Sequence, residues 1–189
     1  EMKSDFIDRL YDNPLIMAIK NDEELEKCID YDNEIVFLLY GDVCNIQDKV
    51  SQLKSKGKFV LVHTDLIQGL SNKEIAVDFV KKYTESDGII STKENCTKRA
   101  NEIGLCSVLR YFVLDSMSYS NVKSQIKNVH ADAVEILPGN MPKVISNISK
   151  MSNKPIITGG LISSKDEVML MLKSGAVAIS STNSDVWQV

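Results

Sequence analysis

Soft metal ligands are scarce in this chain and badly spaced for a site. Cys28, Cys44, Cys96 and Cys106 form no Cys-x-x-Cys pair, and His63 and His130 are the two histidines. Such spacing fits neither a structural zinc centre nor a secreted disulfide framework, so reduced, mostly buried thiols are expected. There is no P-loop, no Rossmann glycine fingerprint and no metal motif, so neither a metal nor a cofactor is expected. No apolar run approaches the roughly 20 residues that span a bilayer, which argues against a membrane partner. The opening EMKSDFIDRL is charged and unlike a secretion signal, making the cytoplasm the default location. A net charge of −4 gives no whole-molecule attraction to nucleic acid.

What remains is an ordinary globular composition, 43% hydrophobic and 25% charged, organised with unusual regularity. Eight short apolar runs alternate with amphipathic segments: Leu15–Ile19, Ile35–Tyr40, Phe59–Thr64, Gly88–Thr92, Val108–Leu114, Ala133–Leu137, Pro155–Thr158 and Ala176–Ser180. Near-continuous Val, Ile and Leu content suits strands buried on both faces, as in a parallel sheet. The intervening helices announce their ends. Ser71…Glu74 and Ser164…Glu167 fit the capping-box pattern, while Gly57, Gly104 and Gly175 stand where helices should stop. Ile75, Phe79 and Val80, and likewise Ile145, Ile148 and Met151, are spaced to lay one helix face on a sheet.

The fold class predicted is α/β, a compact (β/α)8 TIM-like barrel occupying residues 1–189 as one domain. Eight units in 189 residues leave about 23 each, against about 250 residues for the common barrel. Loops must therefore be short, and the last helix is truncated after Asp185-Val186-Trp187. An opening helix over 4–12 is a candidate for closing the barrel bottom. A doubly wound open sheet is the competing architecture, but it needs a switch point that the sequence does not mark.

In such a barrel, function gathers at the C-terminal ends of the strands. PIITGGLI and AISSTN place Gly159-Gly160 and Ser180-Ser181-Thr182 at the ends of the last two strands, each opening onto a helix. Glycine admits close backbone approach and a helix N-terminus offers free N–H donors, so a small phosphorylated ligand is the first hypothesis. His63, Asp65, Lys93, Arg110 and Glu135 fall at the ends of other strands, with Lys20 closing the first. Inward charges are costly unless paired, so Lys20, Lys93 and Arg110 against Asp65 and Glu135 form a balanced set. That set reads either as a ligand pocket or as an ion-pair layer closing the barrel. For His63, a hydrogen-bonded core histidine is an equal alternative. Pro138-Gly139 and Met141-Pro142 shape the loop after strand six, with Pro142 in a first helical turn. Lysines 54, 56 and 58, Lys81-Lys82 and Lys98-Arg99 could meet RNA phosphates, although solvated helix faces explain them more simply.

These motifs resemble the glycerol uptake operon antiterminator family over essentially the whole chain. The densest parts are VHTDLIQGLS, DGIISTK, RYFVLDS, EILPGNMPKVI, PIITGGLI and AISSTN with Trp187 following. The resemblance implies a TIM-like barrel that responds to glycerol 3-phosphate and binds the leader mRNA of a glycerol catabolic operon, so that transcription reads through a terminator. It implies that Gly159, Gly160, Ser180, Ser181 and Thr182 hold the phosphate and that His63, Asp65, Lys93, Arg110 and Glu135 line the glycerol end. Ligand would favour an RNA-competent conformation or a homo-oligomer. Lys20-Asn21 departs from an Arg-Asp pair common in the family, and no arginine-rich RNA surface stands out. The alternative is a barrel enzyme acting on a phosphorylated three-carbon substrate, with Lys93 forming a Schiff base and Asp65 or Glu135 moving protons. A degenerate barrel acting as a scaffold is the third reading.

Overall fold

The computed structural model describes residues 2–189. Eight parallel strands close into a barrel in chain order: β1 Leu15–Ile19, β2 Ile35–Leu38, β3 Phe59–His63, β4 Gly88–Ser91, β5 Cys106–Phe112, β6 Ala133–Leu137, β7 Ile156–Gly159 and β8 Ala178–Ser181. β8 pairs back onto β1, with Ser181 opposite Met17. Helix α1 (Met2–Asp12) precedes the barrel, and α2 (Asp22–Cys28), α3 (Ile46–Ser55), α4 (Glu74–Tyr83), α5 (Glu94–Glu102), α6 (Ser116–Gln125), α7 (Pro142–Met151) and α8 (Lys165–Lys173) follow β1 to β7. Among the described residues, β8 is followed by a 3-10 turn, Val186–Gln188, and by no α-helix. The open doubly wound sheet is excluded by closure.

Strand parity divides the core. Ile16, Ala18, Ile35, Phe37, Phe59, Leu61, Ile90, Val108, Ala133, Ile157 and Ala178 form one cluster inside the barrel. Phe6 and Leu10 of α1 join that cluster, and Phe6 stacks on Phe59 with ring centres 5.7 Å apart. Arg9 lies over the Phe59 ring and pairs with Glu34 at 2.7 Å. The outward strand residues meet the helices in two further clusters, one over β1 to β4 and one over β5 to β8.

Local chemistry moves several predicted boundaries. β5 starts at Cys106, two residues early, because Gly104 turns the chain at φ +86° and the Leu105 N–H returns to the Ala100 carbonyl. It stops at Phe112 because Leu114 and Asp115 are drawn into the cap of α6, where Ser118 Oγ accepts both N–H groups. Pro155 has no N–H for the ladder, so β7 runs from Ile156 to Gly159. Thr64 leaves β3 to open the 3-10 turn Thr64–Leu66.

The Ser71–Glu74 capping box does not form. Lys73 is the residue before α4, and Ser71 Oγ accepts the Lys73 N–H instead. Ser164 does cap α8 through the Glu167 N–H, but Glu167 reaches back to Ser163 and not to Ser164. The complete capping box is Asp115 with Ser118, a pairing hidden by serine standing where glutamate is usual. On α4 the buried residues are Ala76, Val77 and Val80, while Ile75 points to solvent. Ile145 and Ile148 of α7 are buried as spaced. Cys28, Cys96 and Cys106 are buried free thiols, and Cys44 is exposed.

Candidate ligand site at the barrel mouth

Above the apolar interior, the same inward positions turn polar. Arg110 on β5 faces Glu135 on β6 in register, and its Nε donates to Glu135 Oε1 at 2.5 Å. The other carboxylate oxygen, Oε2, accepts the Ser180 hydroxyl at 2.5 Å. Glu135 is completely buried and Arg110 nearly so. Such a pair persists because each carboxylate lone pair in use meets a donor, and removing one partner would strand the other charge. The remaining guanidinium nitrogens of Arg110 have no protein acceptor among the described residues. Arg110 also lines a cleft of about 200 Å³ at the barrel mouth.

The rest of that cleft comes from the end of β8 and the turns after β7 and β8, Gly160, Leu161, Ile162, Ser180, Ser181, Thr182 and Asn183, with Ala18, Leu39 and Leu137 completing its lining. Gly159 lies opposite Ser180 in the ladder. A Cβ at Gly159 would collide with Ser180 Oγ and its carbonyl, so only glycine lets the two strand ends approach this closely. Gly160 then turns at φ +81°, and Leu161 follows in the left-handed region at φ +59°, with its side chain 73% exposed. A branched-chain residue held there is strained. The Gly160, Leu161 and Ile162 amides of this turn, and the Thr182 amide just after β8, have no protein acceptor among the described residues. The Gly160 carbonyl, by contrast, accepts the Gly139 N–H at 2.8 Å, which joins the loop after β6 to the loop after β7.

Three details differ from the sequence expectation. The start of α8 does not line the cleft: Ser164 caps its Glu167 amide, and Asp166 and Glu167 place negative charge there. The stretch after β8 opens onto the 3-10 turn, without an α-helical dipole. The serine hydroxyls are also engaged: Ser180 donates to Glu135, and Ser181 Oγ accepts the Asn183 N–H at 3.0 Å. Main-chain amides, Arg110, the Thr182 hydroxyl and the Asn183 side-chain amide are thus the donors without a protein partner among the described residues.

His63 and Asp65 stand beside this group. His63 is 2% exposed, and its Nδ1 has no hydrogen-bond partner. Burial, reinforced by the Arg110 charge and only partly opposed by Asp65, pushes the imidazole down to about 3. The ring is therefore neutral at ordinary pH, and the hydrogen-bonded core histidine does not describe it. Asp65 sits in the turn after β3 and accepts from Ser91 Oγ (2.9 Å), Thr92 N (2.8 Å) and Thr92 Oγ1 (2.7 Å). Burial alone would raise this carboxyl, but those bonds from Thr92 and Ser91, with His63 nearby, hold it below the usual carboxylate range.

The balanced five-charge set is not what forms. Lys20 is an exposed partner of Glu24 at 3.4 Å, one turn along the chain. Lys93 is exposed at the residue before α5, and Asp65 is satisfied by hydroxyls and an amide. The neutral donor set for Asp65 stands directly beside that lysine in sequence, as Ser91-Thr92. Ala18, Leu39 and Leu137, missed by sequence reasoning, follow from inward parity on β1, β2 and β6. Of the lysines weighed as RNA contacts, Lys58 is buried: its ammonium donates to the Tyr31 and Asn33 carbonyls. Lys54 pairs with Asp87, and Arg99 with Asp78 and Glu102.

Fold and mouth together define a (β/α)8 barrel protein with free donors at the ends of its last two strands. The profile of the family described as glycerol-3-phosphate responsive antiterminator matches residues 15–187, and the chain belongs to that family. The uncharacterized protein YgcP of Escherichia coli (strain K12) is 39% identical over 178 residues, covering 94% of this chain and 93% of that one. The crystal structure of a glycerol uptake operon antiterminator regulatory protein from Listeria monocytogenes str. 4b F2365 superposes with a TM-score of 0.88 at 32% identity, covering 92% and 94% of the two chains. A glycerol uptake operon antiterminator-related protein from Thermotoga maritima MSB8 gives 0.82 at 32% identity, covering 94% and 99%. Among the described residues, no helix is long and apolar enough to cross a membrane.

Proposed function

We propose that this protein binds glycerol 3-phosphate at the barrel mouth and, in response, binds leader mRNA of a glycerol catabolic operon to let transcription pass a terminator. The observation that carries the ligand half is that Gly160, Leu161, Ile162 and Thr182, whose amides have no protein acceptor among the described residues, line the same cleft as Arg110. Main-chain N–H groups fixed by a rigid turn, with a guanidinium opposite, suit a phosphoryl group. Glu135 holds Arg110 in place and cancels enough charge to keep it buried without a ligand. The neutral His63 and the Asp65 carboxylate then face the polyol end, where one accepts or donates and the other accepts. By linkage, RNA must tighten the ligand by the factor by which ligand tightens RNA.

Calorimetry with glycerol 3-phosphate tests the site. Wild-type protein is expected to bind it and to ignore glycerol. Thr182→Asp, which sets a carboxylate at an exposed edge of the cleft, should cut affinity by tenfold or more, about 1.4 kcal/mol. Unchanged affinity in that variant would remove the proposed site.

A further inference from the structure

Six of the eight α-helices carry acidic residues; α6 (SMSYSNVKSQ) and α7 (PKVISNISKM) carry none. Between residues 103 and 164 the acids are Asp115, Asp132 and Glu135. Asp132 and Glu135 are buried, and Asp115 is committed to the cap of α6. The same stretch exposes Lys123, Lys127, Lys143 and Lys150. None of the four takes part in an ion pair among the described residues. In a chain of net charge −4, this is a positive face on an otherwise acidic molecule.

The four lysines also share a geometry. Tyr119, Lys123 and Lys127 are spaced four apart, running down α6 into the 3-10 turn Ile126–Asn128, which packs against α7. Lys143, Asn147 and Lys150 occupy one stripe of α7, at spacings of four and three. Asn147 Nδ2 donates to the Tyr119 hydroxyl at 2.9 Å, so the two stripes face each other. Exposed lysines thus stand on both sides of the groove where α6 and α7 meet. Lys123 rests 4.3 Å above the Tyr119 ring.

We infer that the α6–α7 groove is the surface that takes the RNA strand, its lysines on phosphates. This rests on the RNA-binding part of the proposed function and supplies its location. Four ammonium groups along two neighbouring helices, none of them in an ion pair, match a polyanion with regularly spaced charges. The placement also joins the two sites. α6 and α7 follow the strands that carry Arg110 and Glu135, and the loop entering α7 is bonded at Gly139 to Gly160 at the edge of the cleft.

The test compares two charge-reversed proteins by fluorescence anisotropy with labelled single-stranded leader RNA across a salt series. One is K123E/K127E/K143E/K150E. The other is K81E/K82E/K98E, which reverses exposed lysines elsewhere. The groove variant is expected to lose RNA affinity by about tenfold or more, with the slope of log affinity against log salt falling by about 3. The control should retain most of both, and glycerol 3-phosphate affinity should be unchanged in each, which shows that the barrel is intact. Equal losses in the two variants, or RNA binding kept by the groove variant, would overturn the placement while leaving RNA binding itself standing. Wild-type protein that binds glycerol 3-phosphate but no RNA would overturn both. Capture of polyglutamate in preference to RNA would overturn the choice of occupant.

Discussion

The two ends of the barrel are built from the same strands and opposite chemistry. At the bottom, Phe6 and Leu10 join Phe59, Ile35 and Cys106 in one apolar cluster, with Phe6 stacked on Phe59. At the mouth, the same inward rows carry His63, Arg110, Glu135 and Ser180, and free donors remain. The apolar end gains stability from every buried atom. The polar end spends some of it, since a buried ion pair rarely outperforms well-packed apolar residues and an unpartnered ring nitrogen is a net cost. A difference of this kind, at two ends of one scaffold, separates what holds the barrel closed from what prepares it to receive something.

The largest effects should break this comparison at each end. Glu135→Ala strands Arg110 and is expected to destabilise the protein by roughly 3–5 kcal/mol in urea unfolding, and to abolish glycerol 3-phosphate binding. The pair Arg110→Met with Glu135→Leu should recover most of that stability and none of the binding, which dissects ligand role from ion-pair layer. Phe6→Ala is expected to cost about 3–5 kcal/mol as well, but with ligand affinity of the folded protein unchanged, because the cavity opens at the far end.

The next prediction uses acid. His63 is held at about 3 in the folded protein against 6.5 for a free imidazole. As the pH falls from 6.5 toward 3 the unfolded chain takes up a proton that the folded chain refuses, so stability drops across that window by an amount on the order of a few kcal/mol. Thermal melts should show His63→Phe with a shallower loss between pH 6 and pH 4 than wild type, about the interval those values define. An unchanged slope would mean that His63 is not the group responsible. The smallest effect belongs to Lys20→Ala: an exposed ion pair with Glu24 predicts a change within about 0.5 kcal/mol and no loss of ligand, against the role that its strand-end position suggested.

The strands were legible because a sheet buried on both faces leaves near-continuous apolar runs, and both β1 and β6 begin and end where that pattern puts them. Boundaries failed where a neighbour's needs took priority, as when Ser118 claimed Leu114 and Asp115 for a helix cap. At the mouth, the Gly159–Ser180 proximity follows from strand order and a small-residue signature, which sequence carries. Pairing does not follow from it in the same way. Lys20, Lys93 and Arg110 look alike as letters, yet only Arg110 sits mid-strand on an inward row opposite a carboxylate, and that register is a tertiary fact. The α6–α7 lysines are illegible for the opposite reason: spread over 28 positions of sequence, from Lys123 to Lys150, they make no run, and it is the packing of α6 and its 3-10 extension on α7 that gathers them.

The chain contains a single tryptophan, and its indole N–H donates at 2.7 Å to the Ser181 carbonyl, while its ring meets Tyr31 edge-on. Trp187 is therefore a built-in optical probe hydrogen-bonded to the last residue of β8. Occupancy of the neighbouring cleft can be titrated from emission wavelength or quenching with no dye attached, and stopped-flow recording of the same signal gives on- and off-rates.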